Sequence, residues 1–243
     1  GGTYTVTLSD GNGCTISSTF VIAEPSALSV ADQITDVVCF GALNGGIDLT
    51  VSGGTLPFTY AWDTGATSED LAGLSGGTYT VTITDANACT TVQTYFVFEP
   101  TQLMVSFTQV DVSCNGLTDG SIDVSVLGGT VPYTYDWNSG TYTTEDLSGL
   151  AAGTYNLVVT DANSCTAIAT VTIIEPSALG LGGIVVDVSC NGIQDGSIDV
   201  SASGGTLPYA YAWNTGATSE DLTGQSGGTY TVTLSDGNGC TIS

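Results

Sequence analysis

Seven cysteine thiols, a scatter of carboxylates and the hydroxyls are the groups this sequence offers for catalytic chemistry. The 243 residues include no Lys, no Arg and no His. Without ammonium, guanidinium or imidazole groups, the usual general bases, oxyanion clamps and phosphate ligands are missing. Three adjacent carboxylate pairs are the only candidates for acid-base work: Glu69-Asp70, Glu145-Asp146 and Glu220-Asp221. They recur at regular spacing, and neighbours in an extended chain point to opposite faces. They read as solvated loop residues ahead of Leu71, Leu147 and Leu222, and the chain is expected not to be an enzyme. Hard oxygen ligands at Asp119, Asp123, Asp195, Asp199, Asp85 and Asp161 make Ca2+ the one candidate cofactor. No EF-hand spacing accompanies them, and Asp or Asn before Gly is ordinary turn chemistry. No other cofactor is expected.

Composition narrows the partners. With 24 Asp plus Glu and no basic residue the formal charge is −24, yet 42% of the chain is hydrophobic and 3 Trp, 11 Tyr and 6 Phe are available to bury. Such a chain folds, unlike an acidic tail. A polyanion cannot neutralise phosphates, which excludes nucleic acid and anionic headgroups as partners. No apolar run approaches the roughly 20 residues of a membrane span, so no membrane insertion is expected.

The elements that position these residues repeat. Trp recurs at Trp62, Trp137 and Trp213, and Gly-Thr-Tyr starts at Gly2, Gly77, Gly153 and Gly228, a period of about 75 with one extra residue between Trp137 and Gly153. Residues 1–17 return unchanged as residues 227–243, the mark of a duplicated three-repeat block and of a window cut from a longer array. The expected organisation is the C-terminal part of a repeat at 1–25, complete repeats at 26–100 and 101–176 closed by Glu99-Pro100 and Glu175-Pro176, and a repeat lacking its last strand at 177–243.

Within a repeat, short alternating runs rich in Thr, Val, Ile and Tyr are separated by Gly, Asn, Asp and Pro, which predicts about seven antiparallel strands and no helix. Phe58, Tyr60 and Trp62 share one face, as do Tyr133, Tyr135 and Trp137, so the core centres on the Trp strand. The predicted class is all-β: tandem immunoglobulin-like antiparallel sandwiches of about 75 residues in a linear array. Outward rows Thr78-Thr80-Thr82 and Thr229-Thr231-Thr233 fit either β-propensity or a flat face for an external surface or glycan.

The motifs VSCNGLTDGSIDVSV from Val112, GGTVPYTYDW from Gly128, GTYNLVVTDANSC from Gly153 and IIEP from Ile173 resemble the SprB repeat family of gliding-bacterium surface adhesins and, more distantly, the PKD-type immunoglobulin-like modules. The resemblance covers every repeat. In the 26–100 repeat, Cys39-Phe-Gly-Ala-Leu-Asn44 lacks the counterparts of Asn115 and Asp119, which leaves a common role for that loop open. The resemblance implies a secreted, disulfide-permissive bacterial cell-surface protein, exported by the type IX system and used in adhesion or gliding, with no catalytic residues.

The cysteines stand at Cys14, Cys39, Cys89, Cys114, Cys165, Cys190 and Cys240, two per repeat, and an extracellular setting favours disulfides. Three pairings compete. Bonds within a repeat, such as Cys39 to Cys89, place the two thiols at opposite poles of a sandwich, beyond the roughly 7 Å Cα separation a disulfide spans. Bonds between successive repeats pair Cys39 with Cys165 and Cys114 with Cys240, with the remaining cysteines bonded to other copies or further repeats. A chain folded back at Glu99-Pro100 pairs Cys89 with Cys114. The favoured reading is the second. The expected function is a stalk or filament region, with repeats that themselves bind a ligand as the alternative.

Overall fold

The computed structural model describes residues 1–243 and is all-β, with no helix. It divides into two compact units, Gly1–Gln102 and Leu103–Ser243.

In the first unit, β1 (Gly2–Ser9) and β2 (Thr15–Ile22) form an antiparallel hairpin. Six further strands follow: β3 (Ser29–Thr35), β4 (Gly45–Ser52), β5 (Thr59–Trp62), β6 (Leu71–Leu74), β7 (Gly77–Thr84) and β8 (Thr90–Val97). They make two three-stranded antiparallel sheets, ordered β3-β4-β6 and β5-β7-β8. The second unit repeats the pattern twice. Sheets β9-β10-β12 and β11-β13-β14 are built from β9 (Met104–Val110), β10 (Gly120–Leu127), β11 (Thr134–Trp137), β12 (Leu147–Leu150), β13 (Gly153–Thr160) and β14 (Thr166–Ile173). Sheets β15-β16-β18 and β17-β19-β20 comprise β15 (Gly180–Val186), β16 (Gly196–Ser203), β17 (Ala210–Trp213), β18 (Leu222–Gln225), β19 (Val232–Ser235) and β20 (Thr241–Ile242). Each complete repeat therefore has six strands, where the alternation of the sequence predicted about seven.

Period-two patterning explains the layers. Along β13, Tyr155, Leu157 and Val159 are buried while the residues between them face outward. These side chains meet Ile122 and Val124 of β10, Leu147 and Leu150 of β12, and Val171 and Ile173 of β14 in one cluster around Trp137, which is fully buried. Residues from both sheets fill this core, which makes the repeat a sandwich. Equivalent clusters surround Trp62 and Trp213. Each indole N–H is satisfied by a backbone carbonyl: Trp62 by Ser68 at 2.9 Å, Trp137 by Thr144 at 3.0 Å and Trp213 by Ser219 at 2.9 Å.

The extra residue of the middle repeat is localised by these bonds. The backbone N–H groups of Trp62 and Trp213 donate to the Ala66 and Ala217 carbonyls, four residues on, whereas that of Trp137 donates to the Tyr142 carbonyl, five residues on. The longer turn is accommodated by Asn138 and Ser139 at φ of 48° and 58°. A second local lock precedes each long central strand. The Tyr79 hydroxyl donates to the Ser75 carbonyl at 2.9 Å, Tyr155 to Ala151 at 2.9 Å and Tyr230 to Ser226 at 2.8 Å, the tyrosine-corner arrangement of immunoglobulin-like sandwiches.

Candidate functional site

The six carboxylates considered for Ca2+ do different jobs in different places. Asp85, Asp161 and Asp236 are buried at the turn before the last strand of each repeat. In the last repeat, Asp236 Oδ1 accepts the N–H groups of Asn238 at 3.0 Å and Cys240 at 2.9 Å, and Oδ2 accepts Thr206 N–H at 2.8 Å. Asp85 and Asp161 make the same three bonds. Burial pushes the Asp85 and Asp236 carboxyls up, but the backbone N–H donors outweigh it and hold both below the usual carboxylate value. Asp119 and Asp195 sit on the loop after the first strand, where their Oδ1 atoms accept Ser113 and Ser189 N–H, each at 3.0 Å. Bonds from those serines, hydroxyl first and backbone second, lower both carboxyls. Asp123 and Asp199 are exposed on β10 and β16. The structure does not bring the six together, and no group of three or more acidic or cysteine side chains is disposed to hold a metal ion.

The paired carboxylates also separate. Asp70, Asp146 and Asp221 accept the N–H groups of Leu49, Val124 and Val200 at 2.8–2.9 Å, tying the loop to the neighbouring strand. Tyr211 donates to Glu220 at 2.8 Å, and Tyr60 and Tyr135 are bonded in the same way to Glu69 and Glu145. Burial first, then these carboxylates, pushes all three phenols up to about 12. Of the outward Thr rows, Thr80 pairs with the hydroxyl of Thr94 at 3.1 Å and Thr233 with Ser243 at 3.0 Å.

Within the second unit, the chemistry concentrates where residues 101–176 meet residues 177–243. Cys114 and Cys240 form a disulfide with a Cα–Cα distance of 5.7 Å across 126 residues of sequence. The bond lies inside a built joint. One side is the loop Ser113–Asp119, folded by the Asp119 bonds to Ser113 and by Leu117 N–H to Cys114 carbonyl at 3.1 Å. The other side is the Asp236–Cys240 turn, whose Asn238 amide donates to the Ser113 carbonyl at 2.9 Å and to Thr206 at 3.2 Å.

The linker is held by the same loop. Glu175 accepts the Gly116 N–H at 2.6 Å and Asn115 donates to the Pro176 carbonyl at 3.1 Å. Past the proline, the Gly205 N–H bonds the Ser177 carbonyl at 2.8 Å. Gly204 lies at φ +71°, and a Cβ there would stand 2.0 Å from the Ala178 carbonyl oxygen, so only glycine lets the turn approach the linker. In the first unit Glu99 bonds the Gly41 N–H likewise, and Gly53 has the same close approach to Ala27.

Cys39 and Cys165 each take part in a disulfide, and Cys14, Cys89 and Cys190 carry free, exposed thiols. Neither a Cys39–Cys89 bond within a repeat nor a Cys89–Cys114 bond is therefore present. The loop doubt raised by Cys39–Asn44 is answered by Asn44, whose Oδ1 accepts Val38 N–H at 3.1 Å in the place of Asp119. An amide oxygen and a carboxylate oxygen accept alike, which spacing from the cysteine would have revealed. Sequence reading missed the linker carboxylates Glu99 and Glu175, Asn238, and the split roles of the Glu-Asp pairs; the regular Asn two residues before each second cysteine was the available signal.

Comparison with known proteins finds one family model that matches part of each repeat. The SprB repeat family model matches three tandem segments, residues 31–67, 106–142 and 182–218, each running from the first strand through the cysteine loop to the Trp strand and its turn. No curated protein matches the chain. Among solved structures, the C-terminal 282-residue fragment of intimin, in complex with the intimin-binding domain of its translocated receptor, is similar at 14% identity over 65% of this chain and 67% of that one, with a TM-score of 0.36. The N-terminal eight Ig domains of Down Syndrome Cell Adhesion Molecule are similar at 12% identity and a TM-score of 0.45; the alignment covers 98% of this chain and 42% of that one.

Proposed function

We propose that this run of three SprB repeats is a structural segment of a long bacterial cell-surface adhesin, a non-enzymatic stalk in which each sandwich is covalently stapled to its successor. The observation that carries the reading is the Cys114–Cys240 joint. It consumes one cysteine from each of two repeats, and the surrounding bonds from Asn238, Asn115 and Glu175 fix the linker as well as the thiols. A protein whose task is to bind through each repeat separately has no need of such a joint. A protein that must hold something away from a surface does. Disulfides require an oxidising compartment, which supports an extracellular location, and secretion by the type IX route with a role in adhesion or gliding completes the proposal. The proposed repeats are 26–100, 101–176 and 177–243, with 1–25 the end of a preceding one.

One period earlier the same staple would join Cys39 to Cys165. Non-reducing mass spectrometry after digestion with a protease that cuts at acidic residues tests this directly. A cross-linked peptide pair containing Cys39 and Cys165, beside the pair containing Cys114 and Cys240, is expected. Cys39 linked to Cys89, or alkylated as a free thiol, overturns the stapled array.

A further inference from the structure

The two sheets of a repeat differ in the charge of their outer faces. Asp48 points outward from β4, and Asp123 and Asp199 stand at the same place on β10 and β16, so an outward strand position in this fold accepts a carboxylate. The strands of the other sheet, β5-β7-β8, carry none on their outer side. There β7 presents Thr78, Thr80, Thr82 and Thr84, and β8 presents Val92 and Phe96 between threonines. Asp63 stands beyond the end of β5, where its carboxylate accepts the Thr80 N–H at 3.0 Å. The β13-β14 face repeats the pattern, with Val158 and Ile168 as cross-strand partners among threonines. Asp136, on the short edge strand β11, is bonded to the Gly140 N–H.

Strand propensity accounts for the threonines, but not for Val92, Phe96 and Ile168, which are 58%, 61% and 79% exposed. Several hydroxyls are spent within the face: Thr80 on Thr94 at 3.1 Å, Thr59 on the Thr84 carbonyl at 3.3 Å and Thr170 on Asn156 at 2.9 Å. Methyl groups and the apolar side chains are left to meet a partner, and depletion of charge is the mark of an interface core.

We propose that this uncharged sheet face is an interaction surface for a second copy of the chain, the outer face of β5-β7-β8 packing on the same face of its partner, and the β13-β14 face likewise. Charge selects the occupant. A cationic partner is drawn to the acidic faces instead. A second copy, with the same 24 carboxylates and no cation, is repelled at those faces and opposes no strand carboxylate at this one. Three strands about 4.8 Å apart and eight residues at about 3.3 Å each give at most about 370 Å² per face. A stable pair needs about 800 Å² per partner, so one face makes a weak contact that repetition along the chain strengthens. The inference depends neither on the Cys114–Cys240 joint nor on the adhesive role.

The test is sedimentation velocity of the full chain from about 10 µM to about 1 mM, the range of a weak contact. The exposed thiols of Cys14, Cys89 and Cys190 are alkylated first so that no disulfide links two copies. Dimers that grow with concentration, and strengthen as salt rises from about 0.05 M to about 0.5 M and screens the remaining carboxylates, are expected. A Val92→Glu/Ile168→Glu double variant changes two exposed positions and should weaken the dimer roughly ten-fold or more, because a self-facing contact meets each new carboxylate twice. Thr50→Glu/Ser125→Glu adds the same charge to the outer faces of the opposite sheets and should leave the dimer unchanged, with parental melting curves showing that both variants fold. A chain that stays monomeric at about 1 mM and about 0.5 M salt, dimers that survive the first double variant, or dimers weakened equally by the second each overturn the proposal. So does a monomer that binds microcrystalline cellulose and loses that binding in the first variant, which would assign the face to a neutral polysaccharide.

Discussion

Removing the Cys114–Cys240 bond should change the stability of the second unit by more than any exposed substitution. The closed loop spans 126 residues and encloses nearly all of both repeats, including Trp137 and Trp213. Chain-entropy reasoning assigns a loop of that length about 16–17 cal/mol/K of lost freedom in the unfolded state, or about 5 kcal/mol at 25 °C. With a urea dependence of about 2 kcal/mol/M, the Cys114→Ser variant should unfold at a midpoint roughly 2–3 M lower. Tryptophan fluorescence is the natural probe, since each repeat buries a single Trp in its own core. Cys89→Ser, which removes a free exposed thiol, serves as the matched control and should leave the midpoint within about 0.3 M of the parent. If Cys114→Ser lowers the midpoint by less than about 0.5 M while the parent bond is intact, loop closure is not what the disulfide supplies, and the reasoning fails.

Tyr155→Phe removes only the hydroxyl that bonds the Ala151 carbonyl; it should cost about 1 kcal/mol and lower the melting temperature by roughly 4–8 °C for a domain of this size, read by differential scanning calorimetry. Alkaline titration followed at the phenolate absorbance should show Tyr60, Tyr135 and Tyr211 ionising near 12. Because their folded values lie above the unfolded value of about 10, the stability they contribute is complete below pH 10 and lost as pH rises from about 10 to 12. A stability that stays flat across that window would contradict it.

How much of this was legible in the sequence follows from the range of each interaction. The Trp strand, the alternating β7 and β13 and the turns before them are local patterns, and Trp62, Trp137 and Tyr79 lie where period-two reading places them. The Glu69-Asp70 segment is a loop as its sequence suggests, but it is tied to the neighbouring strand, Asp70 accepting the Leu49 N–H. Spacing showed that Cys114 and Cys240 recur a fixed distance apart, and the Asn two residues before each second cysteine is equally regular, but what Asn238, Asn115 and Glu175 bond to is not legible, because their partners are backbone carbonyls and amides of another loop. Asp85 and Asp161 illustrate the opposite failure: an Asp followed by Asn resembles a cation ligand in one dimension, whereas in three its oxygens are consumed by Thr55, Asn87 and Cys89 or by Thr130, Asn163 and Cys165.

The Cys114–Cys240 bond also divides the chain into length that can be pulled and length that cannot. A load applied at Ser113 and at Thr241 crosses through two sulfur atoms, so the residues between the cysteines carry no force whether their sandwiches are folded or not. Released by reduction, that segment would add on the order of 400 Å of contour length. The oxidised molecule is thus nearly inextensible over the span where most of its residues lie, and the redox state of one bond sets whether the two repeats behave as a short link or as a long, unfoldable tether.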